Sequence, residues 1–235
     1  CFANAGIPVT IVDAAQANLD RGLATIRKNY ERSVSRGSLK PEQLEQRMGL
    51  ISPALQLEAL DKADVIIEAA FETMAIKQDI FARLDKIAAA PAILASNTSF
   101  LDIDQIAAVT SRPQMVLGLH FFSPANVMRL LEVVRGKETA PQVLASAMSL
   151  AKRIGKLAVV SGVCHGFIGN RLIFTRGHQA EMLALEGMAV ADIDRAMVDY
   201  GFAMGHFQMM DLVGLDVVGR DNDRKTVMSE LVALG

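Results

Sequence analysis

The chain has 235 residues, 51% hydrophobic and 21% charged, with a formal net charge of −2. Such a balance describes one large globular domain or two small ones, provides no basic field for nucleic acid, and leaves no run of about 18 apolar residues for a membrane span. Cys1 and Cys164 have neither metal nor disulfide spacing, which fits a reducing compartment.

Residues 1–6 read as the last turn of a helix capped by Gly6, so upstream sequence is expected to be missing. Residues 7–13 (Ile-Pro-Val-Thr-Ile-Val-Asp) read as a strand ending in an acid. Leu19, Leu23, Ile26, Tyr30 and Val34 recur at helical spacing until Gly37. A short helix starts near Pro41, and 50–52 reads as a short strand. Residues 65–70 (Val-Ile-Ile-Glu-Ala-Ala) form a buried strand followed by Phe71-Glu72. Ile76, Ile80, Phe81, Leu84 and Ile87 mark an amphipathic helix. Residues 93–97 are the next strand, with Thr98-Ser99 at its end. Ile103 and Ile106 mark a short helix, and Pro113 precedes a central strand. Residues 141–154 read as a helix capped by Thr139 and stopped by Gly155, and 157–161 as a last strand. After Gly162 the pattern is helical throughout: 167–186, interrupted at Gly177; 192–200, capped by Gly201; and 207–218. Helix packing accounts for the methionines there. Residues 229–235 stop inside a helical pattern, and the join at 220–223 reads as a second place where residues are missing.

Strands alternating with helices predict an α/β fold, a Rossmann-type doubly wound parallel sheet over 1–161, followed by a smaller all-helical domain over 162–235. Ligands bind such sheets at the carboxyl ends of the strands, where Asp13, Glu72, Asn97, Ser99 and His120 fall. The organising stretch is 115–134. An apolar run leads into His120, a turn follows at Ser123-Pro124, and a second apolar run carries Glu132. Adjacent strands lie about 4.8 Å apart, close enough for a carboxylate to reach an imidazole, and a carboxylate among apolar residues needs a partner. A His–carboxylate pair is the usual form of an oriented general base; the alternatives are a core histidine and a Glu132 paired with an arginine. Asp13 stands where an acid ending the second strand of a βαβ unit would bind the ribose hydroxyls of NAD. The glycine-rich turn of that fingerprint would lie upstream of Cys1, and an acid at a strand end is also a common turn former.

The motifs at 11–13 (Ile-Val-Asp), 65–72 (Val-Ile-Ile-Glu-Ala-Ala-Phe-Glu), 95–99 (Ala-Ser-Asn-Thr-Ser), 118–124 (Gly-Leu-His-Phe-Phe-Ser-Pro), 166–171 (Gly-Phe-Ile-Gly-Asn-Arg) and 211–216 (Asp-Leu-Val-Gly-Leu-Asp) together resemble the L-3-hydroxyacyl-CoA dehydrogenases of fatty-acid β-oxidation. They span nearly the whole chain in order. Ser-Pro-Ala-Asn-Val-Met after His120 is similar to the dehydrogenase part of multifunctional β-oxidation enzymes, which carry an enoyl-CoA hydratase module upstream; a trimmed stand-alone enzyme would look the same. The resemblance implies His120 as base and Glu132 as its orienting partner. It implies Ser99 and Asn170 as holders of the substrate oxygens, with Asn170 facing a cleft between the two parts. It implies NAD contacts at Asp13, Phe71, Glu72, Lys77, Asn97, Ser99 and Ser123, and no metal. Lys77 reads equally as a solvated lysine, and Asn97 and Ser99 equally as turn formers. Two positions depart from the family pattern. Ser123 stands where many members have Asn, which leaves its cofactor contact open, and His206 replaces a usual Pro as a loop difference without chemistry. His165 and His178 are read as structural or solvated.

The implied reaction is NAD-dependent oxidation of an L-3-hydroxyacyl-CoA to the 3-oxoacyl-CoA. The implied partners are the acyl-CoA and either a second copy or the rest of a multifunctional chain. The location would be the bacterial cytoplasm, or the peroxisome or mitochondrion of a eukaryote. Two other readings stand beside it: a non-catalytic, crystallin-like dinucleotide binder, which an intact His120/Glu132 pair argues against, and a dehydrogenase of another 3-hydroxy acid.

Overall fold

The computed structural model describes residues 1–214. Residues 215–218 of the expected 207–218 helix, the last two residues of the 211–216 motif, the 220–223 join and the 229–235 pattern lie outside the described residues. The elements are Val9–Val12 (β1), Gln16–Ser35 (α1), Pro41–Met48 (α2), Ile51–Ala54 (β2), Val65–Glu68 (β3), Met74–Ile87 (α3), Ile93–Ser96 (β4) and Ile103–Ala107 (α4). Then come Val116–Phe121 (β5), Leu130–Arg135 (β6), Pro141–Arg153 (α5), Leu157–Gly162 (β7), Gly169–Leu185 (α6), Val190–Tyr200 (α7) and His206–Val213 (α8). They fall into two compact units, Cys1–Phe167 and the segment from Ile168 onward.

In the first unit, β1 and β2 pair in parallel as a two-stranded sheet, and a five-stranded sheet runs in the order β3-β4-β5-β6-β7. The α/β, Rossmann-type class holds, but the sheet is not wholly parallel, because β6 runs antiparallel to β5. The connection 122–129 explains the reversal: a parallel crossover needs about a dozen residues or more, whereas antiparallel neighbours can be joined by a short loop. The α5 crossover then restores parallel pairing between β6 and β7.

Both faces of the sheet are covered from β3 to β6, so these strands read as continuous apolar runs rather than alternating ones, whereas the edge strand β7 leaves Leu157, Val159 and Val160 exposed. Ile66, Leu94, Val116 and Val134 pack with Phe81 and Leu84 of α3 and Ile103 and Ile106 of α4. Leu117, Leu119, Leu131 and Val133 pack on the other face with Val143, Ala147 and Ala151 of α5. Gly118 is required by close approach, since a Cβ there would stand 2.8 Å from Val134 Cβ. Thr139 does not cap α5. Its hydroxyl donates to the Val116 carbonyl (2.7 Å) and accepts the Gly136 N–H (2.9 Å), tying the helix approach to β5 instead.

The second unit is helical as expected. Gly177 does not interrupt α6: it lies buried within an unbroken helix. A Cβ there would meet His206 Cε1 at 2.5 Å, so the missing side chain makes room for that ring. His206 is not a loop residue either. It opens α8, is buried, and neither ring nitrogen has a hydrogen-bond partner.

Candidate active site

The period-two alternation of strands sets which side chains share a face. Glu68 lies in register with Ser96, Ser96 with Gly118, and His120 with Glu132. Glu68, Ser96, His120 and Glu132 therefore have the parity of Ile66, Leu94, Val116 and Val134, and all four rise from the α3/α4 face of the sheet. A one-residue slip between β5 and β6 would send Glu132 to the opposite face.

His120 Nδ1 and Glu132 Oε2 are 2.6 Å apart, with 5% and 1% of the two side chains exposed. An ionised carboxylate only accepts, so Nδ1 carries the proton and Nε2 is left as the lone-pair nitrogen. Two aromatic rings enclose the imidazole: Phe122 with its centroid at 4.5 Å and Phe167 at 5.8 Å. Phe167 holds φ 48°, a left-handed conformation unusual for a bulky residue. Such strain costs roughly 1–3 kcal/mol and persists where the surroundings over-determine it; here the ring is buried in the sheet–helix core against His120.

Beside the pair, a buried ionic cluster joins the ends of β3 and β4. Lys77 is fully buried, with its Nζ 2.9 and 3.0 Å from the two Glu68 oxygens. Glu68 also accepts from Ser96 Oγ (2.7 Å) and from the Ala70 N–H (2.6 Å). This overturns the reading of Lys77 as a solvated lysine. Burying an ammonium is tolerable only with such partners, and it also donates to the Ala70 carbonyl and stands 3.4 Å from Glu72 Oε2. Glu72 in turn accepts from the Thr98 hydroxyl at 2.5 Å, the Ser99 N–H at 2.7 Å and the Phe100 N–H at 3.2 Å. The loop bearing Ser99 is thus set by a carboxylate on the neighbouring strand end. Asn97 performs a similar task, with Oδ1 accepting the Phe121 N–H at 2.8 Å.

Asp13 sits at the end of β1, where Oδ1 accepts the Ala15 N–H and the Asn18 amide, each at 2.9 Å. These bonds, the backbone one first, hold its carboxyl below the ordinary aspartate value, so it stays ionised. Phe71, 80% exposed, and Ser123 present themselves to solvent at the ends of β3 and β5. In the second unit, Asn170 lies half-buried in the first turn of α6. His165 stacks on Phe100, with centroids 5.4 Å apart. Among the described residues, no three His, Cys, Asp or Glu side chains gather as a metal site.

Sequence reasoning missed Glu68, Thr98 and Phe167. An acid closing the strand Val-Ile-Ile-Glu, with a lysine one helix start away, was the available signal for the first. Nothing in the sequence signalled the positive φ of the third.

Residues 1–164 match a family model described as the NAD binding domain of 3-hydroxyacyl-CoA dehydrogenase, and residues 166–230 match the C-terminal domain of the same enzyme. The peroxisomal bifunctional enzyme of Danio rerio is 44% identical over 216 residues, 92% of this chain and 29% of that protein. The chain thus spans under a third of the length of the curated relatives it matches. Two similar solved structures are 3-hydroxybutyryl-CoA dehydrogenases. The one from Ralstonia eutropha has TM-score 0.90 and 30% identity, over 99% of this chain and 87% of that one. The one from Escherichia coli has TM-score 0.88 and 36% identity, over 92% of this chain and 46% of that one.

Proposed function

Because the chain belongs to the 3-hydroxyacyl-CoA dehydrogenase family, we propose that it interconverts a 3-hydroxyacyl-CoA and the 3-oxoacyl-CoA with NAD. The observation that carries this reading is the buried His120–Glu132 pair at 2.6 Å, which leaves an oriented basic nitrogen. In the oxidation, His120 Nε2 takes the proton of the 3-hydroxyl, and Glu132 steadies the imidazolium that forms. The C3–H bond breaks as the carbonyl forms, and NAD supplies the acceptor for the departing hydride. Phe122 and Phe167 keep the imidazole face away from water, which strengthens the His120–Glu132 interaction.

Asp13 fits the cofactor: an ionised carboxylate at a strand end accepts two ribose hydroxyls and repels a 2′-phosphate. Phe71, Glu72, Asn97, Ser99 and Ser123 line the neighbouring strand ends and complete the proposed cofactor contacts; Lys77, expected as a further contact, is fully buried on Glu68 and 3.4 Å from Glu72, so its proposed role is to support Glu72 rather than to touch the cofactor. Ser99 and Asn170 are the proposed holders of the substrate oxygens, which would keep the reacting carbon in a near-attack geometry.

The relatives' names motivate two further proposals: that the dehydrogenase works within a longer multifunctional chain or as a homodimer, and that in a eukaryotic source it is peroxisomal; in a bacterial source the location would be the cytoplasm. No helix of the described residues is long and apolar enough to cross a membrane. Oxidation of NADH followed at 340 nm with acetoacetyl-CoA by the full-length protein tests the activity; absence of turnover there at any substrate concentration would overturn it.

A further inference from the structure

We infer that Lys156, outside every site residue named above, is a positioning residue for the reaction. It clamps the β5–β6 connection that leads away from His120. The inference rests on the dehydrogenase reading for its kinetic part only.

The connection 122–129 carries Phe122, whose ring touches His120, and Ser123 immediately after it. It has little support of its own. It is closed by two main-chain bonds to the Pro124 carbonyl, from Val127 at 2.9 Å and Met128 at 3.0 Å, and its tip exposes Val127 by 66%. Lys156 is fixed where it can reach this loop. Its N–H donates to the Ala151 carbonyl at the end of α5, and the next residue's N–H donates to the Arg129 carbonyl at the loop's far end, both at 2.9 Å. From that anchor the ammonium crosses to the Ala125 carbonyl and, at 2.6 Å, to the Met128 carbonyl. It also stands 5.8 Å from the centroid of the Phe121 ring. The Ala125 carbonyl receives a further contact from Cys1 Sγ at 3.2 Å. A cation spent on two loop carbonyls and an aromatic face restrains the segment on both sides of its tip. The restrained segment joins the strand of the base to the strand of its carboxylate, so a loosened loop releases Phe122 from the imidazole and moves Ser123. Displacement of about 1 Å at a site can cost on the order of 10²-fold in rate; a loop that still folds but wanders should cost less, about fivefold in kcat.

The test compares Lys156→Met with the unmutated full chain. Lys156→Met is expected to speed amide exchange at Val127 and Met128 about tenfold, weaken NADH binding about tenfold by fluorescence titration, raise KM for NADH by a similar factor and lower kcat about fivefold. Lys156→Arg, which keeps a cation, should restore the kinetic constants to within threefold, a recovery that general destabilisation would not show. If Lys156→Met does not fold, Lys156→Gln, with a shorter donor, should show the same changes at reduced size. Unchanged exchange at the two amides overturns the clamp. Faster exchange with NADH affinity and both kinetic constants within twofold of wild type overturns the positioning role. If the unmutated chain does not oxidise NADH with acetoacetyl-CoA, the dehydrogenase reading fails by itself, and exchange with NADH titration still decides on Lys156.

Discussion

Replacing Glu132 by Gln probes the chemistry at its most buried point. The side chain is almost wholly enclosed and meets His120 Nδ1 at 2.6 Å. Gln keeps the shape and a neutral acceptor but removes the charge. A hydrogen bond to a charged group contributes about 1.5–3 kcal/mol, against about 0.5–1.5 for a neutral one. The difference falls on the step in which the imidazolium forms, and is about 1–2 kcal/mol. At about 1.4 kcal/mol per decade this lowers kcat roughly 5- to 30-fold. Because β5 and β6 are held by their full ladder and by Leu131 and Val133 in the core, melting temperature and NADH affinity should stay near wild type. Stopped-flow and steady-state oxidation of NADH with acetoacetyl-CoA, alongside thermal unfolding, measure the three quantities. A variant with kcat within twofold of wild type, whether or not its melting temperature falls, would mean that Glu132 serves packing and that the orienting role is wrong.

On the proposed reading Asp13 sets the cofactor choice: Asp13→Ser should weaken NADH binding about tenfold and narrow the gap to NADPH, read by fluorescence titration of both, and equal affinities in the unmutated protein would refute it. His206 sets an acid limit on stability. Burial first, and then Arg176, lower its affinity for a proton, with Glu181 and Asp194 acting the other way. The unfolded chain therefore binds the proton more readily, and the contribution is constant above the ordinary histidine value and lost as pH falls below about 6.5. Melting curves between pH 5 and 8 should show that acid-side loss reduced in His206→Leu; identical losses in the two proteins would remove His206 as its source.

The main elements were legible because their signals are local. Apolar runs bounded by turn residues gave β3 to β7, and the i, i+3, i+4 pattern gave α1 and α3. The His120–Glu132 contact was legible for the same reason: two buried runs joined by a turn make neighbours. Strand direction was less so, although the short 122–129 connection already excluded a parallel crossover. What sequence hides is partnership at a distance. Lys77 looks like any helix-face lysine until Glu68 and Ser96 are brought under it by strand register. Thr139 has the composition of a helix cap but finds the Val116 carbonyl first. Gly177 looks like a break until the ring of His206 is seen to occupy its missing side chain. Lys156 gives no local sign of its use, because its partners are main-chain carbonyls that any sequence would supply.

His120→Gln tests the central claim most directly. In oxidation of NADH by acetoacetyl-CoA, the unmutated protein should turn over, while His120→Gln should lose about 10²–10⁴ of kcat, the usual contribution of a general base, with NADH affinity and melting temperature nearly unchanged. A His120→Gln variant whose kcat stays within about tenfold of wild type would contradict the assignment of His120 as the base, since that is less than a general base contributes.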